Sequence, residues 1–225
     1  PPGARLVSDP VDLPLPALSE VAVSLYLPKP SQPAGFHFDA RETAYVAGGD
    51  LTGAAQLPAT ASQWSTRVYV SGLVVETPTP PATVVALGDS ITDGNGSTPG
   101  ANTRWPDALA ERLAGRGVGV LNAGISGGRL MKDGMGRAAL ERAGRDVFAQ
   151  PGIRAVVVLL GTNDIGWPGG PFAPQEPAVR AEELIQGFRQ LIALAHAHNV
   201  RIVAGTITPN ERALEGSGLE GHHSP

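Results

Sequence analysis

Ser90 lies just past the apolar run Val84-Val85-Ala86-Leu87, in the sequence Gly88-Asp89-Ser90-Ile91-Thr92-Asp93-Gly94. An apolar strand that ends in turn residues and presents a hydroxyl is where open parallel sheets place their chemistry. Two further segments end strands in the same manner: Asn122-Ala123-Gly124-Ile125-Ser126-Gly127 and Gly161-Thr162-Asn163-Asp164. Three polar strand ends that converge on one point would suit acyl transfer. A serine hydroxyl attacks a carbonyl only when a base removes its proton. The developing oxyanion needs fixed donors, each typically worth about 10²–10³ in rate. The backbone N–H of Ser90, the backbone N–H of Gly127 and the side-chain amide of Asn163 are the candidates. Glycine suits the second place because a backbone without Cβ can approach a substrate closely. Asparagine suits the third because its amide donates without charge.

The elements that must position these groups follow from the hydrophobic pattern. Val84–Leu87, Val118–Leu121, Ile153–Leu160 and Val200–Ala204 read as short buried strands. Between them, residues 103–115, 137–150 and 177–199 carry apolar residues at helical spacing. In the first, Trp105, Leu109 and Leu113 step by four, with Pro106 in the first turn and Gly115 after the end. In the second, Leu140, Gly144, Val147 and Phe148 share a face; in the third, Ile185, Phe188, Leu191, Ile192 and Ala195 do. This alternation predicts an α/β domain over residues 82–225, a parallel sheet with helices on both faces. Residues 1–76 read as β-rich, with strands expected at 21–27 and 67–75. Thr77-Pro78-Thr79-Pro80-Pro81 between them reads as a stiff linker.

Gly88-Asp89-Ser90, Asn122-Ala123-Gly124-Ile125-Ser126-Gly127 and Gly161-Thr162-Asn163-Asp164 resemble the first three blocks of the SGNH, or GDSL, hydrolases. That family comprises esterases, lipases and carbohydrate deacetylases on a flavodoxin-like sheet. The resemblance spans residues 82–210, with the blocks in the family's order. It implies that Ser90 is the nucleophile, that Gly127 and Asn163 complete the oxyanion hole, and that Asp89 and Asp164 hold the loops. Arg129 is a candidate substrate contact beside its plainer reading as a solvated arginine. Residues 1–76 resemble the later strands of a β-sandwich module in a secreted arylesterase and acetyl-xylan-esterase-like branch. An extracellular serine esterase acting on small acyl esters, acetyl groups on polysaccharide among them, is the expectation, with no metal or organic cofactor.

One block departs from the pattern. The family's last block is Asp-x-x-His, whose imidazole is the general base, and no aspartate here has a histidine three residues later. The C-terminal helix, strand and helix of the family fold are likewise missing from the pattern. The chain is therefore read as an internal segment of a longer protein, with the base supplied by a further polypeptide segment. Glu220-Gly221-His222-His223 imitates the dyad with glutamate for aspartate. It comes soon after the fourth strand, so His223 is the weaker candidate. A non-catalytic carbohydrate-binding protein derived from such a hydrolase is the alternative.

Plainer readings stand beside each assignment. Asp89 and Ser90 alone would be a strand-end turn, Gly127 a left-handed turn residue, and Asn163 a loop cap. His196 and His198, two apart, lie on different helix faces and form no metal site; a helix C-terminus favours them. His37 stands alone and is read as structural. Gly124-Ile125-Ser126-Gly127-Gly128 fits the nucleophile elbow G-x-S-x-G, but glycines interrupt the stretch where its helix would begin. Gly134-Met135-Gly136-Arg137-Ala138-Ala139 fits G-x-G-x-x-A, but it follows no strand directly.

Composition narrows the field further. A net charge of −4 with 17% charged residues gives no basic footprint for nucleic acid. With 42% hydrophobic residues the chain can build a core, and 29 glycines and 21 prolines imply many turns. There are no cysteines, which excludes disulfides and thiolate chemistry. The longest apolar run, Ala155–Leu160, is far short of the ~20 residues a bilayer span needs. The opening Pro1-Pro2-Gly3 shows neither a basic n-region nor an apolar h-region, so the sequence is a mature, trimmed or cytosolic form.

Overall fold

The computed structural model describes residues 6–77, 79–80 and 82–207. The chain divides into two compact units. One takes in residues up to Val75 together with Ser97–Asn102; the other takes in Glu76–Gly96 and the chain from Thr103 onward.

In the first unit, β1 (Phe36–His37) pairs antiparallel with β4 (Arg67–Val68), and β2 (Ala44–Val46) with β3 (Ser62–Trp64). His37 Nδ1 lies 3.3 Å from Arg67 Nη2 across the first pair. The expected strand at 21–27 does not form: Val21, Val23, Leu25, Tyr26 and Leu27 are between 37% and 55% exposed. β-Branched and aromatic residues express strand propensity only against a pairing neighbour, and none pairs this segment among the described residues. The strand expected at 67–75 stops after two residues. Tyr69 has φ 63°, a left-handed conformation that ends an extended run.

In the second unit, β5 (Ala82–Gly88), β6 (Val118–Gly124), β7 (Ile153–Leu159) and β8 (Arg201–Ala204) form one sheet in the order β6-β5-β7-β8. Every pair is parallel. This is the flavodoxin-like order, with its switch point between β5 and β7. The α/β class expected from the alternating pattern is therefore the one observed, with strand bounds within three residues of those read from sequence.

One face of the sheet carries the core. Val85, Leu87, Val156 and Val158 pack there against Leu130, Ala139, Ala143, Val147, Leu191 and Ala195, all 1% exposed or less. Each fully buried leucine or valine contributes about 1.5–3 kcal/mol. The covering helices are α3 (Ala139–Ala143), continued by a π-turn over Gly144–Phe148, and α5 (Ala181–Ala197). Right-handed crossovers send α2 (Trp105–Leu113) to the opposite face, because β6 and β7 flank β5 on opposite sides. The Asp107 carboxylate accepts from the Arg104 N–H at 2.9 Å, and Glu183 from the Arg180 N–H at 3.0 Å, which caps α2 and α5.

The buried stripe of α5 keeps Phe188, Leu191 and Ala195 of the expected residues but not the two isoleucines. Gly187, Leu191 and Ala195 face the core, whereas Ile185 and Ile192 are 48% and 37% exposed. A Cβ on Gly187 would lie 2.8 Å from Met131 Sδ and 2.9 Å from Leu130 Cδ2. That close approach fixes the rotation of the helix and turns the two isoleucines outward. The left-handed residue after α2 is Gly117 (φ 66°), not Gly115, because a 3₁₀ turn over Ala114–Arg116 extends the helix.

Candidate active site

The loop after β5 is built around α1 (Ser90–Asp93), a single turn. Asp89 Oδ1 accepts from the Ile91 N–H at 3.0 Å, and the Gly94 N–H returns to Ser90 O at 2.9 Å. Ser90 is thus the first residue of a capped turn and remains half-buried, while Asp89, Thr92 and Asp93 are buried. Three outside groups fix the turn. Asn122 Nδ2 donates to Thr92 O at 2.7 Å, and Trp105 Nε1 to Thr92 Oγ1 at 3.2 Å. Asp93 Oδ2 accepts from Ser126 Oγ at 2.7 Å and Ser126 N at 3.0 Å. Gly124 permits the contact: a Cβ there would sit 2.2 Å from the Asp93 backbone nitrogen.

The second loop meets the first directly. The Ile125 N–H donates to Gly88 O at 3.1 Å, and the Gly128 N–H to Ile125 O at 2.8 Å. A Cβ built on Gly128 would lie 3.7 Å from the Asp89 Cα. Gly127 has φ 72° and is buried. It combines the left-handed turn read from sequence with a close approach: a Cβ there would meet Met135 Cγ and Sδ at 2.8 Å and Trp167 Cη2 at 2.9 Å.

The third loop carries α4 (Thr162–Gly166) behind Gly161, whose φ is 119°. Asn163 Nδ2 donates to Gly128 O at 3.0 Å, which joins the third loop to the second. An amide nitrogen carries two protons, so one is left for another acceptor. The Asp164 carboxylate accepts from the Leu130 N–H, at 2.9 and 3.1 Å to its two oxygens. Asp164 thus joins the third loop to the second, whereas Asp89 caps its own turn through Ile91. Burial raises both carboxyls above the ordinary value, against the opposing N–H bonds from Ile91 and from Leu130 and Met131.

The segment therefore brings Asp89-Ser90, Gly127-Gly128 and Asn163 to adjacent loop tips. Neither the Ser90 N–H, the Gly127 N–H nor the Ser90 hydroxyl has a hydrogen-bond partner among the described residues. Arg129 is 5% exposed. It pairs with Glu176 at 2.9 Å, donates to Asp133 O, and places Cζ 5.3 Å from the centroid of Trp167. Ser126, the elbow serine, gives its hydroxyl to Asp93. Gly134 and Gly136 close a small turn on one another, the Gly134 N–H donating to Gly136 O at 2.8 Å. His198 ends α5 and stacks on Phe148 at 4.6 Å. Glu220, His222 and His223 lie outside the described residues.

Sequence reasoning overlooked Arg142. It is 3% exposed on α3, donating from Nη1 to Ala123 O at 2.7 Å and from Nη2 to Gly88 O at 3.1 Å, with Asp146 3.3 Å from Nη1. It spans the carboxyl ends of β6 and β5, behind Ser90. Its one sequence signal is a cation between Ala139 and Ala143 on the stripe that faces the sheet.

The family model of the GDSL-like lipase/acylhydrolases matches residues 86–220. The chain belongs to that family. Among solved structures, it is similar to AlinE4, described as an SGNH-hydrolase family esterase, at 22% identity and TM-score 0.46, over 60% of this chain and 64% of that one. It is also similar to a variant of Axe2, an acetyl xylan esterase from Geobacillus stearothermophilus, at 22% identity and TM-score 0.44, over 61% and 65%. The chain spans less than two thirds of the length of these structures. No curated protein matches it significantly. Among the described residues, no helix is long and apolar enough to cross a membrane.

Proposed function

We propose that the chain carries the nucleophile and oxyanion hole of a serine esterase for small acyl esters, acetyl esters of carbohydrate above all. The observation that carries this reading is the junction at Gly128, where the Asn163 amide reaches the second loop and Asp89-Ser90 lies against it. Beside that junction, the Ser90 hydroxyl and the N–H groups of Ser90 and Gly127 are unspent among the described residues. Family membership gives the reading its chemistry.

Ser90 Oγ bonds to the ester carbonyl carbon while its proton passes to a base. The carbonyl oxygen, now negative, takes hydrogen bonds from Ser90 N–H, Gly127 N–H and the second proton of the Asn163 amide. Collapse breaks the ester C–O bond, and the base returns its proton to the leaving alkoxide. Water then attacks the acyl-serine, gives a proton to the base, and releases the acid as Ser90 recovers its hydrogen. The proposed base is a histidine of an Asp-x-x-His block on a further segment, with His223 beside Glu220 the weaker candidate. The proposal also treats residues 1–76 as a separate β-rich module, 77–81 as its linker, 82–225 as the hydrolase domain and the protein as extracellular.

The test is p-nitrophenyl acetate hydrolysis by the full-length protein. An initial burst of nitrophenol that disappears in Ser90→Ala supports the reading. Turnover undiminished in Ser90→Ala overturns it. An inert wild type that still binds acetylated xylan favours the carbohydrate-binding alternative.

A further inference from the structure

We propose that Trp167 is the specificity-determining wall of the acyl site, restricting it to short chains; this rests on the esterase reading above. The indole edge occupies a slot between two glycines. Its Cη2 lies 2.9 Å from where a Gly127 Cβ would stand, and its Cζ3 and Cη2 lie 2.9 and 3.3 Å from a Cβ on Gly134. Any side chain at either position would push the ring out. Under the esterase reading the Gly127 N–H serves the oxyanion, and the ring edge packs against that same residue. An acyl chain lengthening on that side runs into it.

A wall selects only if it resists displacement, and this ring is held. Phe172 stacks on it with centroids 4.9 Å apart and planes at 26°. The Arg129 guanidinium lies 5.3 Å from its centroid. Such cation–aromatic contacts strengthen when desolvated, and Arg129 is buried. Arg129 is itself anchored by Glu176 at 2.9 Å, and Glu176 takes a second cation, Lys132, at 2.9 Å. Arg129 is therefore a positioning residue that acts on substrate through Trp167. Met135, 62% exposed, closes the same side of Gly127 with its thioether. It bends aside more readily than the ring because its side chain is unbranched and flexible.

The experiment compares kcat/KM of the full-length protein for p-nitrophenyl acetate, butyrate, hexanoate and octanoate. Wild type is expected to favour acetate. In Trp167→Ala the hexanoate-to-acetate ratio rises at least about tenfold, since a few methylenes of pocket are worth that much discrimination. Met135→Ala moves the ratio in the same direction by less. Arg129→Lys, which loses the guanidinium over the ring but keeps charge, broadens chain selection while acetate turnover persists. A Trp167→Ala enzyme that hydrolyses acetate with an unchanged ratio overturns the wall and leaves the esterase reading intact. If that variant fails to fold, Trp167→Leu and Met135→Ala decide, and no shift in either overturns it. A wild type inert to all four esters removes the esterase reading and the wall together.

Discussion

Arg142 donates from Nη2 to the carbonyl oxygen of Gly88 at 3.1 Å, two residues before Ser90. A buried cation thereby caps the end of the strand that presents the hydroxyl, and the same guanidinium caps Ala123 on the neighbouring strand. Removing it leaves two carbonyls and the Asp146 carboxylate to find new donors, although Arg145 still reaches Asp146 at 2.6 Å. Arg142→Met is expected to lose about 3 kcal/mol or more of stability. Urea denaturation at constant m checks it. A loss under 1 kcal/mol would mean that the clamp contributes little. Because the clamp sets the spacing of the first two loops, kcat in Arg142→Lys should fall more than KM changes.

Ser126 and Ser90 make opposite predictions. Ser126 Oγ and N–H both bind Asp93 Oδ2, tying the second loop to the first. Ser126→Ala loses one charge-assisted hydrogen bond and about 1–3 kcal/mol, yet retains most esterase activity. Ser90→Ala keeps stability and loses activity. Thermal melts and p-nitrophenyl acetate rates on both variants separate the roles; the reverse pattern would make Ser126 the nucleophile.

Gly124 is a steric prediction. A methyl group there would stand 2.2 Å from the Asp93 nitrogen and 2.7 Å from its Cα, both backbone atoms. The turn carrying Ser90 cannot yield without losing its bonds to Asn122 and Ser126. Gly124→Ala is expected to cost about 3 kcal/mol, the upper range for overpacking. Equal melting temperatures in mutant and wild type would contradict the close approach.

Asp164 gives stability a pH signature. Burial raises its carboxyl, so the folded state holds the proton more tightly than the unfolded chain does. The stability this contributes is fully present below the ordinary carboxyl pKa of about 3.9 and is lost as pH rises through the raised folded value. Asp164→Asn keeps the shape and removes the titration. The stability of wild type relative to this variant should therefore fall as pH rises above about 4. Urea melts at several pH values measure it, and a relative stability that rises with pH contradicts the sign.

Much of the second unit was legible because its signals are local. Short, mostly apolar runs bounded by polar or glycine residues gave the four strands, and the three polar blocks gave the loop tips. The failures share one cause, in that each depended on a partner distant in sequence. Val21–Leu27 has strand-forming residues but no pairing neighbour among those described. Phe188, Leu191 and Ala195 of the expected stripe face the core, yet the approach of Met131 to Gly187 leaves Ile185 and Ile192 outside it. Arg142 looked like an ordinary helix cation; the carbonyls it caps lie 54 and 19 residues away. Trp167 gave no sign of its place until Gly127 and Gly134 were seen to make room for it.

The central claim is that Ser90 forms the covalent bond. The direct measurement is mass spectrometry of the full-length protein after reaction with a fluorophosphonate, followed by proteolysis and sequencing of the labelled peptide. The account predicts one adduct, on Ser90, absent in Ser90→Ala and present in Ser126→Ala. An adduct on Ser126, or no adduct in a folded protein that hydrolyses esters, would contradict it.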